Sequence, residues 1–187
     1  MQSKEKVQIF EEELGLIFDP AIKEFTRLCL IAAPDYIFYD APSSSSGKYH
    51  SVDELGGNGC VIHTKRVFAV AYRLCRGLSC ENNRDSVLSA CIIHDLVKQG
   101  FKKTGHTQRN HPDLAAQLVD LVQNATFILS ENIYSMVRNC VGYHYGMWST
   151  GKWKKDISNY TKEEYCVYIS DYLASKRELH DLSKVGV

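Results

Sequence analysis

Residues 91–97, CIIHDLV, decide the fold of this chain, because two ionisable side chains stand next to each other in an otherwise apolar run. The five residues before them, SVLSA, continue that run at helical spacing. A buried charge is costly unless it is paired or bound to a metal. The stretch therefore predicts a buried helix in which His94 and Asp95 share a partner.

Composition and charge are those of an ordinary globular protein. The 187 residues are 44% hydrophobic and 24% charged, with 22 basic and 22 acidic side chains and a formal net charge of +0. This length suits one domain with a sizeable core, and the charge balance gives no overall attraction to a polyanion. No apolar run approaches the ~20 residues of a membrane span, and the N-terminus lacks the apolar segment of a signal peptide. We therefore expect a cytoplasmic protein with no membrane partner.

The seven cysteines lie mostly in apolar segments, and none of them forms a Cys-x-x-Cys pair. The spacing matches no common zinc pattern. Reduced, buried thiols are therefore expected.

Apolar residues recur at three- and four-residue spacing through most of the chain, which predicts an all-α fold. Pro20 stands where a helix can start, and Pro34 ends that helix. Thr161 and Glu164 have the spacing of a capping box. Residues 35–59 are rich in turn formers and predict one long loop. The predicted helices cover residues 7–16, 20–33, 60–76, 84–98, 111–123, 131–143 and 161–179.

Two aspartates in apolar runs and four histidines near helix ends form the candidate site. Taken singly, each has an ordinary alternative as a hydrogen-bonded core histidine or a capping aspartate. Jointly they need a common partner, and a divalent metal compensates carboxylates and accepts neutral imidazole nitrogen. Asp95 can bind the same metal ion as the adjacent His94, or it can bridge two metal ions. The candidate ligands are His63, His94, Asp95, His111, His144 and Asp171.

The order of four of these ligands resembles the HD-domain metal-dependent phosphohydrolases: His63, then His94 with Asp95, then Asp171. The local sequences HTKRVFAVAYRL, ACIIHDLVKQG and VYISDYLASKREL are also similar to that family. The resemblance spans about residues 36–179 and implies a compact HD-domain helical bundle. We accordingly expect an N-terminal helical extension over residues 1–35 that packs on an HD domain over residues 36–187, with a long N-terminal loop region.

Two further histidines look like the second-metal ligands of two-metal HD enzymes. The segments HPDLAAQLV and GYHYGMWSTG, which carry His111 and His144, resemble those of HD enzymes that hydrolyse diadenosine tetraphosphate. The lead-in YDAPSSSSGKYHSVDELGGNGCVIHT is similar instead to HD-type 3′-to-5′ exoribonucleases. Those exoribonucleases have two adjacent histidines where this chain has only His144. We also expect no counterpart of their N-terminal nucleic-acid-binding module, since only about thirty-five residues precede the loop. The resemblance implies a divalent metal, two ions per chain, from among Mn, Fe, Mg, Ni and Co.

Asp95 and Lys98 are the candidate catalytic residues. Paired metals clamp a phosphoryl group and activate a bound water near neutral pH. Lys98 follows the aspartate by three residues, so the predicted helix puts both on one face. Its ammonium group could neutralise developing phosphate charge, and its ordinary alternative is a solvated lysine at a helix C-terminus.

The segment SSSSGKYH fails as a phosphate-binding loop, because Pro42 replaces the first glycine and Tyr49 replaces the required serine or threonine. Lys48 and His50 stay candidates for substrate contact, since the resemblance places this loop beside His63. A solvated loop is the alternative.

The segment YGMWSTGKWKK alternates aromatic and basic residues. Tyr145 and Trp148 could stack on a base while Lys152 meets phosphate, which favours a nucleotide or a short single-stranded nucleic acid. The alternative is a loop whose aromatic rings pack against the protein and whose lysines are solvated at its edge.

The leading hypothesis is a phosphohydrolase that cleaves phosphoester or phosphoanhydride bonds of nucleotides or short oligonucleotides. One alternative is a non-catalytic HD module that binds a nucleotide or partner. Another is an HD oxygenase with mixed-valent di-iron. The oligomeric state stays open between a monomer and a homodimer.

Overall fold

The computed structural model describes residues 1–44, 47 and 50–180. Within these residues the regular structure is helical and contains no strand, which confirms the all-α prediction. Short 3₁₀ turns connect several of the helices. The α-helices are α1 (Ser3–Gln8), α2 (Glu11–Gly15), α3 (Pro20–Ala32), α4 (Tyr36–Tyr39), α5 (Gly59–Gly77), α6 (Arg84–Ile93), α7 (His111–Thr126), α8 (Glu131–Tyr143), α9 (Lys162–Ala174) and α10 (Arg177–His180).

The helices pack around one continuous hydrophobic core. Helix α5 lies against α6 and α9, α8 packs on α6, α7 and α9, and α3 crosses α6 and α7. Phe10, between α1 and α2, and Phe25 of α3 are buried in the same cluster as Ile92 of α6. The N-terminal residues therefore complete the core. The boundary between residues 35 and 36 stays a prediction.

Helix α6 ends at Ile93, so the prediction of a helix as far as residue 98 is wrong. The amides of Lys98 and Gly100 bond to carbonyls three residues back, at 3.0 and 2.8 Å, in place of the helical pattern. Gly100 has a φ of 90°, and its carbonyl accepts a 2.7 Å hydrogen bond from the Tyr36 hydroxyl. Tight turns therefore lead out of α6, and His94 stands at the end of the helix.

Three other predicted boundaries are wrong. The helix predicted over residues 7–16 is divided at Phe10, which leaves the helical conformation (φ −112°, ψ 20°) while its ring is buried. The helix predicted to end at residue 179 stops at Ala174, after which the Lys176 amide bonds to the Leu173 carbonyl three residues back at 3.0 Å, and the short α10 follows. The predicted loop over residues 35–59 contains α4 and a 3₁₀ turn.

Two local predictions are confirmed. Thr161 and Glu164 form the capping box at the start of α9, with each side chain accepting from the other's backbone amide at 3.2 and 2.9 Å. All seven cysteines are free and buried. Among the residues described, no helix has both the length and the apolar character needed to cross a bilayer.

Candidate metal centre

The six predicted ligands converge where several helix ends meet. Helices α5 and α9 contribute a histidine near the start of one and an aspartate near the end of the other. The remaining four side chains directly follow α6 or α8, or begin α7. Five of the six are at most 2% exposed. The cluster consists of His63, His94, Asp95, His111, His144 and Asp171.

Three of the histidines are oriented in the same way. The Nδ1 atoms of His94, His111 and His144 lie 2.7, 2.8 and 2.6 Å from the carbonyl oxygen three residues earlier. A carbonyl accepts only, so each Nδ1 must carry the proton and donate it. A neutral ring with its proton on Nδ1 has a lone pair on Nε2, which is the form that binds metal.

Asp95 lies between these lone pairs with one carboxylate oxygen toward each side. Its Oδ2 atom is 3.4 Å from His94 Nε2. Its Oδ1 atom is 3.4 Å from His111 Nε2 and 3.8 Å from His144 Nε2. Asp95 would thus be available to two cations, one held with His94 and the other with His111 and His144.

His63 and Asp171 complete the side of the cluster that includes His94. The Asp171 Oδ1 atom lies 2.9 Å from His63 Nε2 and 3.9 Å from His94 Nε2. Burial would lower the pKa of His63, but its interactions with Asp171 and Glu54 outweigh burial and raise that pKa to about 9. In the metal-free protein His63 is therefore an imidazolium ion at neutral pH, and a metal would replace its proton.

Buried lone pairs without partners test whether a cation fits here. His111 Nε2 and His144 Nε2 are 3.0 Å apart. Because both rings already donate a proton from Nδ1, these two nitrogens present lone pairs to each other unless a proton or a metal lies between them. His94 Nε2 and Asp95 Oδ1 are buried and have no hydrogen-bond partner. Such groups carry a desolvation penalty unless something binds them. Nitrogen and carboxylate donors suit a divalent transition metal, so the residues fit the group.

Protonation states also favour a cation. Burial lowers the pKa of His111 to about 3 and that of His144 to about 4, so both rings are neutral at pH 7. Burial alone would raise the pKa of Asp95, but the Lys98 ammonium group beside it holds that pKa well below its usual range. Neutral imidazoles around an ionised carboxylate are the states that metal binding requires.

Lys98 reaches the cluster although the helix that was expected to carry it ends five residues earlier. Its Nζ atom lies 2.5 Å from Asp95 Oδ2, and its side chain is 9% exposed. The turn after α6 brings the two together instead of a shared helix face. A buried ammonium group thus lies directly beside the carboxylate.

The family comparison agrees with this geometry. The model of the HD domain matches residues 60–176, more than half of the chain. The chain belongs to the HD-domain family. HD domains are typical of metal-dependent phosphohydrolases. The match gives no support for the expected similarity to the exoribonucleases or to the diadenosine tetraphosphate hydrolases. No match was found among curated proteins or among solved structures.

Asp171 is the most exposed member of the cluster, with a side chain that is 19% exposed. The Tyr145 ring lies 4.6 Å from that of His111, and the Trp148 ring lies 6.0 Å from Tyr145. Trp148 is 49% exposed and lies parallel to Tyr172 at 6.4 Å. Aromatic rings therefore lead from this cluster to the surface.

The other predicted substrate residues differ in position. Lys152 forms a 2.8 Å ion pair with Asp113, whose Oδ1 atom also accepts from the indole of the buried Trp153. Its contacts thus hold the loop after α8 to α7, and a role toward substrate stays a prediction. His50 lies next to the cluster, with its ring 5.0 Å from that of His63. Lys48 lies outside the described residues.

The sequence patterns did not identify two residues that lie near the site. Glu54 is fully buried beside His63, and the Tyr36 hydroxyl supports the turn that carries Lys98. Both belong to the segment predicted as one loop. Spacing offered one weak signal, because His50 and Glu54 are four residues apart, as ligands on one helical turn would be.

Proposed function

We propose that this protein is a metal-dependent phosphohydrolase that cleaves phosphoester or phosphoanhydride bonds of nucleotides or short oligonucleotides. One observation carries the proposal. Three buried imidazoles, each with Nδ1 committed to a backbone carbonyl, direct their Nε2 lone pairs at the two oxygens of one buried carboxylate, Asp95. Membership of the HD-domain family supports the same class of chemistry.

The six ligands divide into two groups that share Asp95. His63, His94 and Asp171 would hold one ion with Asp95 Oδ2, while His111 and His144 would hold the second with Oδ1. Bound divalent ions supply Lewis acidity and a water that is acidic near neutral pH. We therefore propose two divalent ions per chain, drawn from Mn, Fe, Mg, Ni and Co.

The protein's own groups would orient the substrate. The Lys98 ammonium group is buried next to Asp95, where a phosphoryl oxygen would gain most from a fixed positive charge. The exposed face of Trp148 offers a surface on which a base could stack. The same ammonium group favours a phosphate substrate over the oxygenase alternative.

Metal stoichiometry and turnover together test the proposal. Protein loaded with Mn²⁺ should hold about two ions per chain by elemental analysis, and His144→Gln should hold about one. His106→Gln is the matched control, because His106 is exposed and contacts only its own loop among the described residues.

A substrate screen separates the remaining alternatives. Nucleotides, dinucleotides and short single strands should be hydrolysed by the wild type, and His144→Gln should be impaired. Full metal loading without turnover of any phosphate substrate would favour the non-catalytic module. Iron-dependent oxygen consumption would favour the oxygenase. Absence of metal binding by the wild type would overturn the proposal.

A further inference from the structure

Glu54 is a buried carboxylate beside the metal centre, in the 3₁₀ turn Val52–Leu55 ahead of the segment that matches the family model. Its Oε1 atom accepts from Arg66 Nη1 at 2.5 Å. Its Oε2 atom lies 2.6 Å from His50 Nδ1 and 3.1 Å from the Ser43 hydroxyl. A carboxylate with 0% exposure needs this many donors, so its position is closely determined.

His63 differs from the other histidines of the cluster in what lies behind its ring. The others donate from Nδ1 to a backbone carbonyl, whereas His63 Nδ1 is buried and has no hydrogen bond. The nearest carboxylate oxygen to that atom is Glu54 Oε2, at 3.4 Å. The opposite nitrogen, Nε2, lies 2.9 Å from Asp171 and faces the cluster. The ring is thus placed between the two carboxylates.

The backbone fixes the turn that carries Glu54. The Glu54 carbonyl accepts from the Ser43 amide at 2.9 Å, and Cys60 at the start of α5 bonds to the Ala41 carbonyl at 2.9 Å. Gly59 packs so closely that a Cβ atom there would lie 1.8 Å from the Glu54 carbonyl oxygen. Only glycine permits this approach, so the turn is held against the first residues of the helix that carries His63.

We infer that Glu54 is a positioning residue for the metal ligand His63. When a metal replaces the proton on His63 Nε2, the neutral ring must carry its remaining proton on Nδ1. Glu54 Oε2 is the acceptor in place for that proton, and a modest rotation of the ring shortens the 3.4 Å separation into a hydrogen bond. The inference rests on the proposed metal centre.

Asp53 provides a matched control within the same turn. It pairs with the same arginine, with Oδ2 2.6 Å from Arg66 Nη2, but its side chain is 51% exposed. Asp53→Asn and Glu54→Gln each remove one negative charge next to Arg66. Only the second removes the carboxylate beside His63. A glutamine has a single carbonyl oxygen, which cannot serve Arg66 on one side and the histidines on the other.

The experiment measures Zn²⁺ affinity by competition with a chelating dye, together with the His63 tautomer by ¹⁵N NMR of the zinc-loaded protein. Glu54→Gln should weaken the affinity of one of the two sites by ~10–100-fold, and Asp53→Asn should leave both unchanged. The wild-type spectrum should show His63 protonated on Nδ1 with a strongly hydrogen-bonded proton. That measurement requires no variant, so it decides the question even if Glu54→Gln does not fold.

Four results would overturn the inference. The first is an unchanged affinity in folded Glu54→Gln, and the second is an equal loss in Asp53→Asn. The third is a His63 ring protonated on Nε2 in the loaded wild type. The fourth is a third zinc equivalent that disappears in Glu54→Gln, which would make Glu54 a ligand. A wild type that binds neither Zn²⁺ nor Mn²⁺ would instead overturn the metal centre itself.

Discussion

Substitution of Asp95 by asparagine should destabilise the metal-free protein far more than an ordinary surface charge change. Asp95 and Lys98 form a 2.5 Å ion pair in which the two side chains are 2% and 9% exposed. Removing one partner of a buried pair leaves the other charge desolvated and costs ~3–5 kcal/mol. For a chain of this length each kcal/mol lowers the melting temperature by roughly 2–4 °C, so Asp95→Asn should melt about 10 °C lower.

A second substitution shows whether the unpaired, buried ammonium group of Lys98 causes the loss of stability. Asp95→Asn combined with Lys98→Met removes both charges and should recover most of the lost free energy of unfolding. The control is Asp40→Asn, since Asp40 pairs with Lys103 at an exposed site and should cost under ~1 kcal/mol. Urea unfolding in the presence of a chelator measures all four proteins. A loss below ~1 kcal/mol in Asp95→Asn, or no recovery in the double variant, would refute the reasoning.

Three further predictions concern packing, protons and substrate. Gly142→Ala would place a methyl carbon 2.2 Å from the buried Trp153 ring and should cost ~1–3 kcal/mol by urea unfolding, whereas Gly77→Ala meets nothing within 4 Å and should not destabilise. Because the pKa of His63 is raised to about 9, metal binding near pH ~7.5 should release about one proton from His63, and binding well above pH 9 should release none. Calorimetry in buffers of different ionisation enthalpy detects the released proton, and equal heats of binding in all buffers would contradict the prediction. Trp148→Ala should raise the KM for a nucleotide roughly tenfold with little change in kcat, and it should leave the hydrolysis of a phosphodiester that lacks a base unchanged. Equal losses of activity with both substrates would make Trp148 a packing residue.

The sequence was informative about the cluster because polar residues in apolar helices are conspicuous. His63, His94 and Asp171 stand out against a regular apolar pattern, and helix ends are where chains from different elements meet. Their convergence in the structure follows from the packing of α5 against α6 and α9. That they bind metal stays a prediction until an ion is measured.

Residues outside the regular pattern could not be found in this way. Glu54 lies in a segment rich in serine and glycine, where an acidic residue is ordinarily solvated, and its burial depends on the close approach of Gly59. Likewise, no proline or glycine marks the end of α6 at Ile93. The turns that follow it are held at Gln99 and Gly100 by the hydroxyl of Tyr36, which is distant in the chain. Both features depend on tertiary contacts, which periodicity does not record.

Side-chain pairing also decided the position of Lys152. The alternation of rings and ammonium groups after His144 suggested a surface facing substrate. Lys152 pairs with Asp113, which lies two residues beyond His111, and its role toward substrate stays a prediction. An acid at that position looks like an ordinary first-turn residue in the sequence, so its pairing was not foreseeable.

The way the histidines are held implies that they differ in tolerance to random mutation. Three of them rest on a backbone carbonyl three residues earlier, an oxygen that every amino acid supplies. Substitutions at those earlier positions keep the backbone carbonyl oxygen in place. Saturation mutagenesis there should therefore impair the protein only where the new side chain packs poorly. His63 has the side chain of Glu54 behind it, which one nucleotide change can erase. Of the four rings, His63 is therefore the one whose orientation a lineage could lose without touching any ligand.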